Sequence, residues 1–199
     1  MNTNLEKFLR WLEDKTNFLL IDLEANSPWD WNFELSELET IQIGYIVFDP
    51  QFEILKKWSI FIKPTNNPIL SEFIKELTGI TQDQVNAWVS YKEWLGQMMD
   101  LFREYHCWHI LSYGKYDMKQ LYSDCQINGI EYPFFEWEIW HSDRHINIKN
   151  ALASRLNIKE KWMEKLLDYL WLDLEWKHHD WEDDCHNILK IVKSQFAEK

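Results

Sequence analysis

The stretch NFLLIDLEANS, residues 17–27, constrains this chain most, because an apolar run ends there in two carboxylates, Asp22 and Glu24. The run predicts a buried β-strand over residues 17–24, in which side chains at i and i+2 project to the same face. Two adjacent acids repel each other unless a cation or a proton lies between them. The pattern is typical of a metal site, although strands also end in polar loops with incidental acids.

Length and composition favour one globular domain. The chain has 199 residues, 46% of them hydrophobic and 27% charged, enough to bury a core without a disulfide or a structural metal. We expect a core over residues 17–196 and a helical N-terminal extension over residues 1–16. Three cysteines without CxxC spacing argue against a disulfide framework and favour a reducing, cytoplasmic location. We expect neither a signal peptide nor a membrane span, because the first residues are charged and no apolar run is long enough.

The net charge of −12 opposes nonspecific binding to a long phosphate backbone. It does not exclude an enzyme that acts on nucleic acid, because carboxylates around divalent ions face phosphate as part of a positive centre. The charge therefore favours short or single-stranded substrates, or a protein partner that supplies the nucleic acid.

Hydrophobic periodicity and turn residues predict an alternation of helices and strands. Helices are predicted over residues 4–14, 70–78, 82–88, 91–106, 116–128, 147–157, 160–170 and 181–196, and strands over 17–24, 40–49, 54–64, 107–114 and 135–141. A hairpin beside the first strand, followed by alternating strands and helices, implies an α/β fold with a mixed five-stranded sheet flanked by helices. Binding sites in such sheets form at strand ends.

A third acid lies in SYGKYD, where a strand ends near Ser112 and Asp117 enters the first turn of the next helix. A strand-end acid suits a cation site, but a helix N-terminus also favours a carboxylate electrostatically. Asp124 follows two turns later, where we expect exposure to solvent.

A fourth acid lies in WKHHDWEDDCHNILKIV, at the start of the last predicted helix. Asp184 precedes Ile188 by one turn and so shares the apolar stripe, whereas Asp183 and Asn187 are expected on the solvent side. A carboxylate in a helix–sheet interface is costly unless it is paired or binds a metal.

Together these motifs resemble those of the DEDDh 3'-to-5' exonucleases of the ribonuclease H-like fold. IDLEA carries the first acid pair, SYGKYD the next acid, and HDWEDD the spacing of His179, four residues and Asp184. ETIQIGYIVFD, IFIKPTNNPILSEFIKELTGIT and HINIKNALA are similar to the branch that trims RNA, of the histone-mRNA and small-RNA type. The resemblance covers residues 17–196.

The resemblance implies that four acids bind two Mg²⁺ or Mn²⁺ ions, namely Asp22, Glu24, Asp117 and Asp184. It assigns His179 as the general base for a water molecule, with His178 as the rival residue. The products would be nucleoside 5'-monophosphates released from an RNA 3' end, with RNA favoured over DNA.

Substrate contacts are expected beside the first strand. Backbone groups around Leu23 and Ala25 are candidates to contact the terminal sugar. Tyr113 and the loop that carries Trp29 and Trp31 are candidates to stack on a base. Ordinary packing is the alternative role for these aromatic residues.

Two other functions remain open from sequence. One is a catalytically silent module on the same fold that binds RNA ends or a protein. The other is a DNA-proofreading exonuclease. The complete set of acids favours an enzyme, while the negative charge favours a binding module.

Overall fold

The apolar run that ends in Asp22 and Glu24 forms the central strand of a five-stranded sheet. The structure, a computed structural model, describes residues 3–27, 37–133, 144–174 and 181–197. Within these ranges, no helix combines the length and apolar character needed to cross a bilayer.

The sheet is mixed, as the sequence predicts. Its strands are β1 (Asn17–Asn26), β2 (Glu39–Phe48), β3 (Ile54–Phe61), β4 (Cys107–Ser112) and β5 (His145–Asn147), in the order β3-β2-β1-β4-β5. β1 pairs antiparallel with β2 and parallel with β4, while β3 and β5 form the edges. The strand predicted over 135–141 lies outside the described residues, and β5 is the fifth strand that the structure describes.

The described helices agree with the predicted ones to within a few residues at their ends. They are α1 (Thr3–Glu13), α2 (Glu72–Thr78), α3 (Gln82–Asn86), α4 (Tyr91–Glu104), α5 (Tyr116–Ile127), α6 (Ile148–Leu156), α7 (Met163–Leu170) and α8 (Trp181–Phe196). Ser71, Thr81 and Ser90 each accept a hydrogen bond from a backbone N–H in the first turn of α2, α3 and α4. These caps fix where the three helices begin.

Helices cover both faces of the sheet, and the alternation of side chains along β1 decides which face each residue meets. Phe18 and Leu20 lie in a hydrophobic cluster with residues of α1, α6, α7 and α8. Leu19 and Ile21 lie in a second cluster, with residues of α4 and α5. The next residue on the first face is Asp22, which therefore points toward the layer that contains α8.

The N-terminal helix packs on the core, as predicted. Phe8 and Trp11 of α1 are buried, and the Trp11 ring stacks on His109 of β4 with 3.3 Å between ring centroids. Asn4 donates a side-chain hydrogen bond of 2.9 Å to Asn150 of α6. The helix thus covers one face of the sheet near β4 and β5.

Candidate active site

The two acids of β1 lie where that strand extends past its parallel neighbour. The last pair between β1 and β4 joins Leu20 to Leu111, while the pairing of β1 with β2 continues through Asn26. Asp22 and Glu24 therefore occupy a strand end beyond β4, on the face that Leu20 shares with α8.

α8 brings a further acid to that face. Asp184 lies in its first turn, one turn before Ile188, and is only 6% exposed, so the predicted inward orientation is confirmed. The prediction that Asn187 faces solvent is wrong, because that residue is 1% exposed. α8 contacts α6 and α7 as well as the sheet, and its buried surface is therefore wider than one apolar stripe.

Three carboxylates converge at this point. One carboxylate oxygen from each of Asp22, Glu24 and Asp184 lies within 4.8 Å of the other two. These residues come from a strand and from a helix that begins more than a hundred residues later in the chain. Their convergence is therefore a product of the tertiary fold.

Asp117 adjoins the three acids but is not one of the oxygens within that 4.8 Å group. It lies in the first turn of α5 and is buried. Burial raises the pKa of Asp117 to about 6, although hydrogen bonds from the Ser112 hydroxyl and the Leu23 backbone favour the ionised carboxylate. The bond to Leu23 ties Asp117 to the residue between Asp22 and Glu24.

The surroundings of Asp22 strongly disfavour its ionised form. Burial raises the pKa of its carboxyl group well above the ordinary value, and the neighbouring carboxylates of Asp117, Asp184 and Glu24 raise it further. Negative charges held together in this way need a proton or a cation among them. The site is therefore electrostatically prepared for a positive ligand.

Ser112 and His145 form a hydrogen-bonded pair that the sequence analysis did not predict. Ser112 ends β4, and its hydroxyl lies 2.9 Å from Nε2 of His145 on β5. Burial, together with the charges of nearby lysines, lowers the pKa of His145 to about 3, so the ring is neutral near pH 7. If Nε2 carries the proton, His145 donates to Ser112, whose hydroxyl also lies 3.2 Å from the Gly114 carbonyl oxygen, to which it donates. Neither residue belongs to a spacing motif, and only the pairing of β4 with β5 brings them together.

Two of the three predicted substrate-contact residues that the structure describes, Leu23 and Ala25, lie next to Asp22 and Glu24 on β1. Leu23 is buried, and its backbone N–H is engaged by Asp117. Ala25 pairs with Thr40 of β2 just after an irregularity in the register of β1. The half-buried Tyr113 donates its hydroxyl proton to the backbone carbonyl of Lys161 over 2.9 Å.

Several predicted site residues lie outside the described part of the chain. These are the general-base candidates His178 and His179 and the aromatic residues Trp29 and Trp31. Their roles stay predictions.

The expectation that Asp124 faces solvent is wrong, because the residue is 1% exposed. It accepts a hydrogen bond of 2.5 Å from the Thr40 hydroxyl and one of 3.2 Å from the Gln120 side chain. Burial nevertheless raises its pKa to about 7. α5 is buried on the side that meets β2, so Asp124 has a role in packing α5 against the sheet.

The donor set fits a hard divalent cation. Carboxylate oxygens are the ligands that Mg²⁺ and Mn²⁺ prefer, whereas zinc sites generally include imidazole or thiolate. The described thiol beside the site, Cys185, is fully buried, and burial raises its pKa well above the ordinary value. This thiol does not ionise readily, so the ligands that the described residues offer at this point are carboxylate oxygens.

Known proteins match this chain over nearly its whole length. A family model described as an exonuclease, RNase_T, matches residues 19–192. The 3'-5' exoribonuclease 1 of Rattus norvegicus is 27% identical over 185 residues, which cover 87% of this chain and 51% of that protein. The chain thus spans about half the length of this relative. The 3'-5' exonuclease eri1 of Schizosaccharomyces pombe is 22% identical, with 97% of this chain and 73% of that protein covered.

Solved structures share the fold. A 3'-exonuclease described in 3'-end specific recognition of a histone mRNA stem-loop has a TM-score of 0.81 and 23% identity, with 96% of this chain and 70% of that chain covered. The nuclease domain of 3'hExo, a DEDDh family member bound to rAMP, has a TM-score of 0.78 and 23% identity, with 93% and 96% covered. The ribonuclease H-like fold expected from the motifs is confirmed. Since the family model spans most of the residues and the acids of its motifs meet at one strand end, this chain belongs to the RNase_T exonuclease family.

Proposed function

We propose that this protein is a metal-dependent 3'-to-5' exonuclease that releases nucleoside 5'-monophosphates from single-stranded or short-overhang RNA. The convergence of Asp22, Glu24 and Asp184 within 4.8 Å carries this proposal. In a chain of this family, an oxygen-only cluster at a strand end supports phosphodiester hydrolysis.

Asp22, Glu24, Asp117 and Asp184 are the residues that would hold a pair of Mg²⁺ or Mn²⁺ ions. Such ions, when bound, make a water molecule more acidic and stabilise negative charge on the phosphoryl group. Asp22 and Asp184 would supply oxygen ligands from two adjacent layers, the sheet through β1 and the helix α8 that packs on it. Asp117 is near enough to Asp22 to raise its pKa, which supports its inclusion in this set.

We assign His179 as the residue that accepts the proton of the attacking water. Histidine titrates near neutral pH and suits this role. The four-residue gap between His179 and Asp184 matches the family motif and favours it over His178. Comparing His179→Ala with His178→Ala tests the assignment: the first should reduce turnover on the order of 100-fold, and an equal loss for both variants would contradict it.

RNA is the favoured substrate because the relatives are named exoribonucleases and the similar structures are described with a histone mRNA stem-loop and with rAMP. We infer that backbone groups near Leu23 and Ala25 contact the terminal sugar, where a 2'-hydroxyl distinguishes RNA from DNA. Tyr113 would border the same pocket, with its ring held by the hydrogen bond to Lys161.

A reducing, cytoplasmic location remains part of the proposal. Cys107, Cys125 and Cys185 are all free thiols and all buried, which supports it.

Labelled RNA and DNA oligonucleotides with free or blocked 3' ends test the proposal, in Mg²⁺, in Mn²⁺ and in EDTA. We expect mononucleotide release from free 3' ends of RNA, no release in EDTA, and slower release from DNA. Asp184→Asn should greatly reduce release, whereas Asp168→Asn, at an exposed position on α7, should behave like the wild type. Binding of RNA without release would favour the silent module, and faster degradation of DNA would favour a proofreading role.

A further inference from the structure

The cation of Lys149 and the exposed aromatic ring of Trp162 lie together between α6 and α7. Trp162, which directly precedes α7, is 76% exposed. The Lys149 ammonium of α6 lies 3.9 Å from the centroid of the Trp162 ring, within the range of a cation–π interaction. Because the lysine covers one face of the ring and most of the residue is accessible, the other face is open to a planar ligand.

This pair is continuous with the acids through Tyr113. The same Lys149 ammonium lies 5.8 Å from the centroid of the Tyr113 ring. Tyr113 follows Ser112, whose hydroxyl favours the ionised form of Asp117, and the Tyr113 hydroxyl donates to the backbone carbonyl of Lys161, the residue before Trp162. Lys149 therefore lies beside both the Tyr113 ring and the exposed Trp162 ring.

The segment that carries Trp162 is held in place by hydrogen bonds. The Asn150 side chain donates to the Glu160 carboxylate over 2.8 Å, and the Ile158 N–H donates to the Ala153 carbonyl over 2.9 Å. Since this segment is anchored to α6, a ligand would meet a ring that is already positioned and would lose less entropy on binding.

The charge of this region is opposite to that of the whole protein. Residues 149–165 contain five basic side chains and two acidic ones, in a chain with a net charge of −12. A second pair repeats the arrangement, with the Lys161 ammonium 5.5 Å from the centroid of the Tyr169 ring. Aromatic faces beside cations are the combination that binds single-stranded nucleic acid, through base stacking and phosphate contact.

Trp171 provides a contrast, because exposure alone does not make a stacking site. Its side chain is 95% exposed, but within the described part of the chain no lysine or arginine lies over its ring, as Lys149 lies over that of Trp162. It is also farther along the chain from Tyr113. Trp171 is therefore a matched control for Trp162.

We propose that Trp162 and Lys149 form a binding site for the single strand upstream of its 3' end, with a base stacked on Trp162 and a phosphate beside Lys149. This inference rests on the proposed function, since it needs a strand whose 3' end lies among the acids. The site gives the enzyme a preference for strands long enough to extend from the acids past Tyr113.

The test measures fluorescence anisotropy of labelled RNA in Mg²⁺, with Asp184→Asn as the background so that the strand is not degraded. Trp162→Ala should weaken binding of an oligomer of about ten nucleotides by about tenfold relative to binding of a dinucleotide. Trp162→Phe should restore most of the loss, because it keeps an aromatic face. Trp171→Ala should match the background protein. Equal affinities for the Trp162→Ala and Trp171→Ala proteins would overturn the inference.

Salt dependence tests the lysine separately. Lys149→Gln should reduce the slope of log affinity against log salt concentration by about 0.7, the value for one phosphate contact on a single strand. An unchanged slope would overturn the phosphate contact.

These outcomes can be separated from failure of the proposed function. If the wild-type protein releases nucleotides but Trp162→Ala has no effect that depends on strand length, only the upstream site is refuted. If the wild-type protein neither binds nor degrades any oligomer, both proposals are refuted.

Discussion

A cluster of four acids and the single acid Glu39 lie at the same end of the sheet but have opposite surroundings. Asp22 lies among Asp117, Asp184 and Glu24, and all three raise its pKa in addition to the effect of burial. Glu39, which begins β2, is paired with Asn26 at the end of β1. It is also buried, but it faces hydrogen-bond donors.

Glu39 accepts hydrogen bonds from three consecutive backbone N–H groups. Its two oxygens lie 2.6 Å from the nitrogen of Thr65, 2.8 and 3.0 Å from that of Asn66, and 2.6 Å from that of Asn67. Asn26 holds the same loop by donating to the carbonyls of Asn67 and Ile69. These bonds fix the chain that leads from β3 to α2.

The comparison separates structural acids from functional ones. A buried carboxylate that serves the fold collects donors, which compensate for the loss of water. Carboxylates that gather around one another destabilise the fold and persist where a ligand supplies the missing positive charge. Substitutions of the two kinds of acid should therefore have different effects on activity and on stability.

Neutralising an acid of the cluster should remove activity without loss of stability. Asp22→Asn or Asp184→Asn should reduce nucleotide release on the order of 1,000-fold. Because each substitution removes a repelling charge, the melting temperature in EDTA should stay equal or rise. Release assays and thermal unfolding of the same preparations check this. A melting temperature that falls clearly below that of the wild type would show that these acids stabilise the fold, as we expect of Glu39.

Neutralising Glu39 should have the reverse effect on stability. Glu39→Gln loses charge-assisted bonds and places an amide group against N–H donors, so we expect a loss of about 2–3 kcal/mol. Urea unfolding measures the change, and Glu76→Gln at an exposed position of α2 serves as the control. If both variants unfold at the same urea concentration, the loop bonds to Glu39 contribute no net stability.

Divalent cations should stabilise the folded protein through the acid cluster. At about 100 times its dissociation constant, Mg²⁺ or Mn²⁺ should add about 2.7 kcal/mol, seen as a higher melting temperature. The Asp22→Asn protein should lose this response, whereas Glu39→Gln should keep it despite a lower starting temperature. A response that survives in Asp22→Asn would locate the cation elsewhere.

Asp124 should make stability depend on pH. Burial raises its pKa to about 7 in the folded state, so the folded protein binds this proton more tightly than the unfolded chain does. The stabilisation is complete below the unfolded pKa of about 4 and is lost as the pH rises through about 7. Between these limits the loss should be at most about 4 kcal/mol, because each pKa unit corresponds to about 1.4 kcal/mol, and Asp124→Asn should remove that part of the dependence. Urea unfolding in EDTA across this range checks it, with Asp168→Asn as the control. Parallel curves for wild type and Asp124→Asn would contradict the shift.

Patterns within a single segment were predicted correctly. Period-two alternation predicted that Asp22 and Glu24 share one face of β1. The four-residue spacing to Ile188 predicted that Asp184 points inward. Both depend on the geometry of a single element, which the order of residues encodes directly. The predictions that Asn187 and Asp124 face solvent were wrong, because the width of a helix's buried surface depends on how many neighbours pack against it.

Contacts between distant segments could not be predicted. The partnership of Ser112 with His145 requires the parallel pairing of β4 and β5, and the bonds from Glu39 to Thr65, Asn66 and Asn67 require a particular loop path. Neither has a periodic signature in the sequence, so no local rule identifies them.

The sequence by itself determined the first four strands and the helices, the inward acids and the resemblance of their motifs to an exonuclease family, because each depends on residues close together in the chain. The tertiary structure alone decided which buried acids face donors and which face one another. That difference arises from desolvation and Coulomb interactions between groups that come together only after folding.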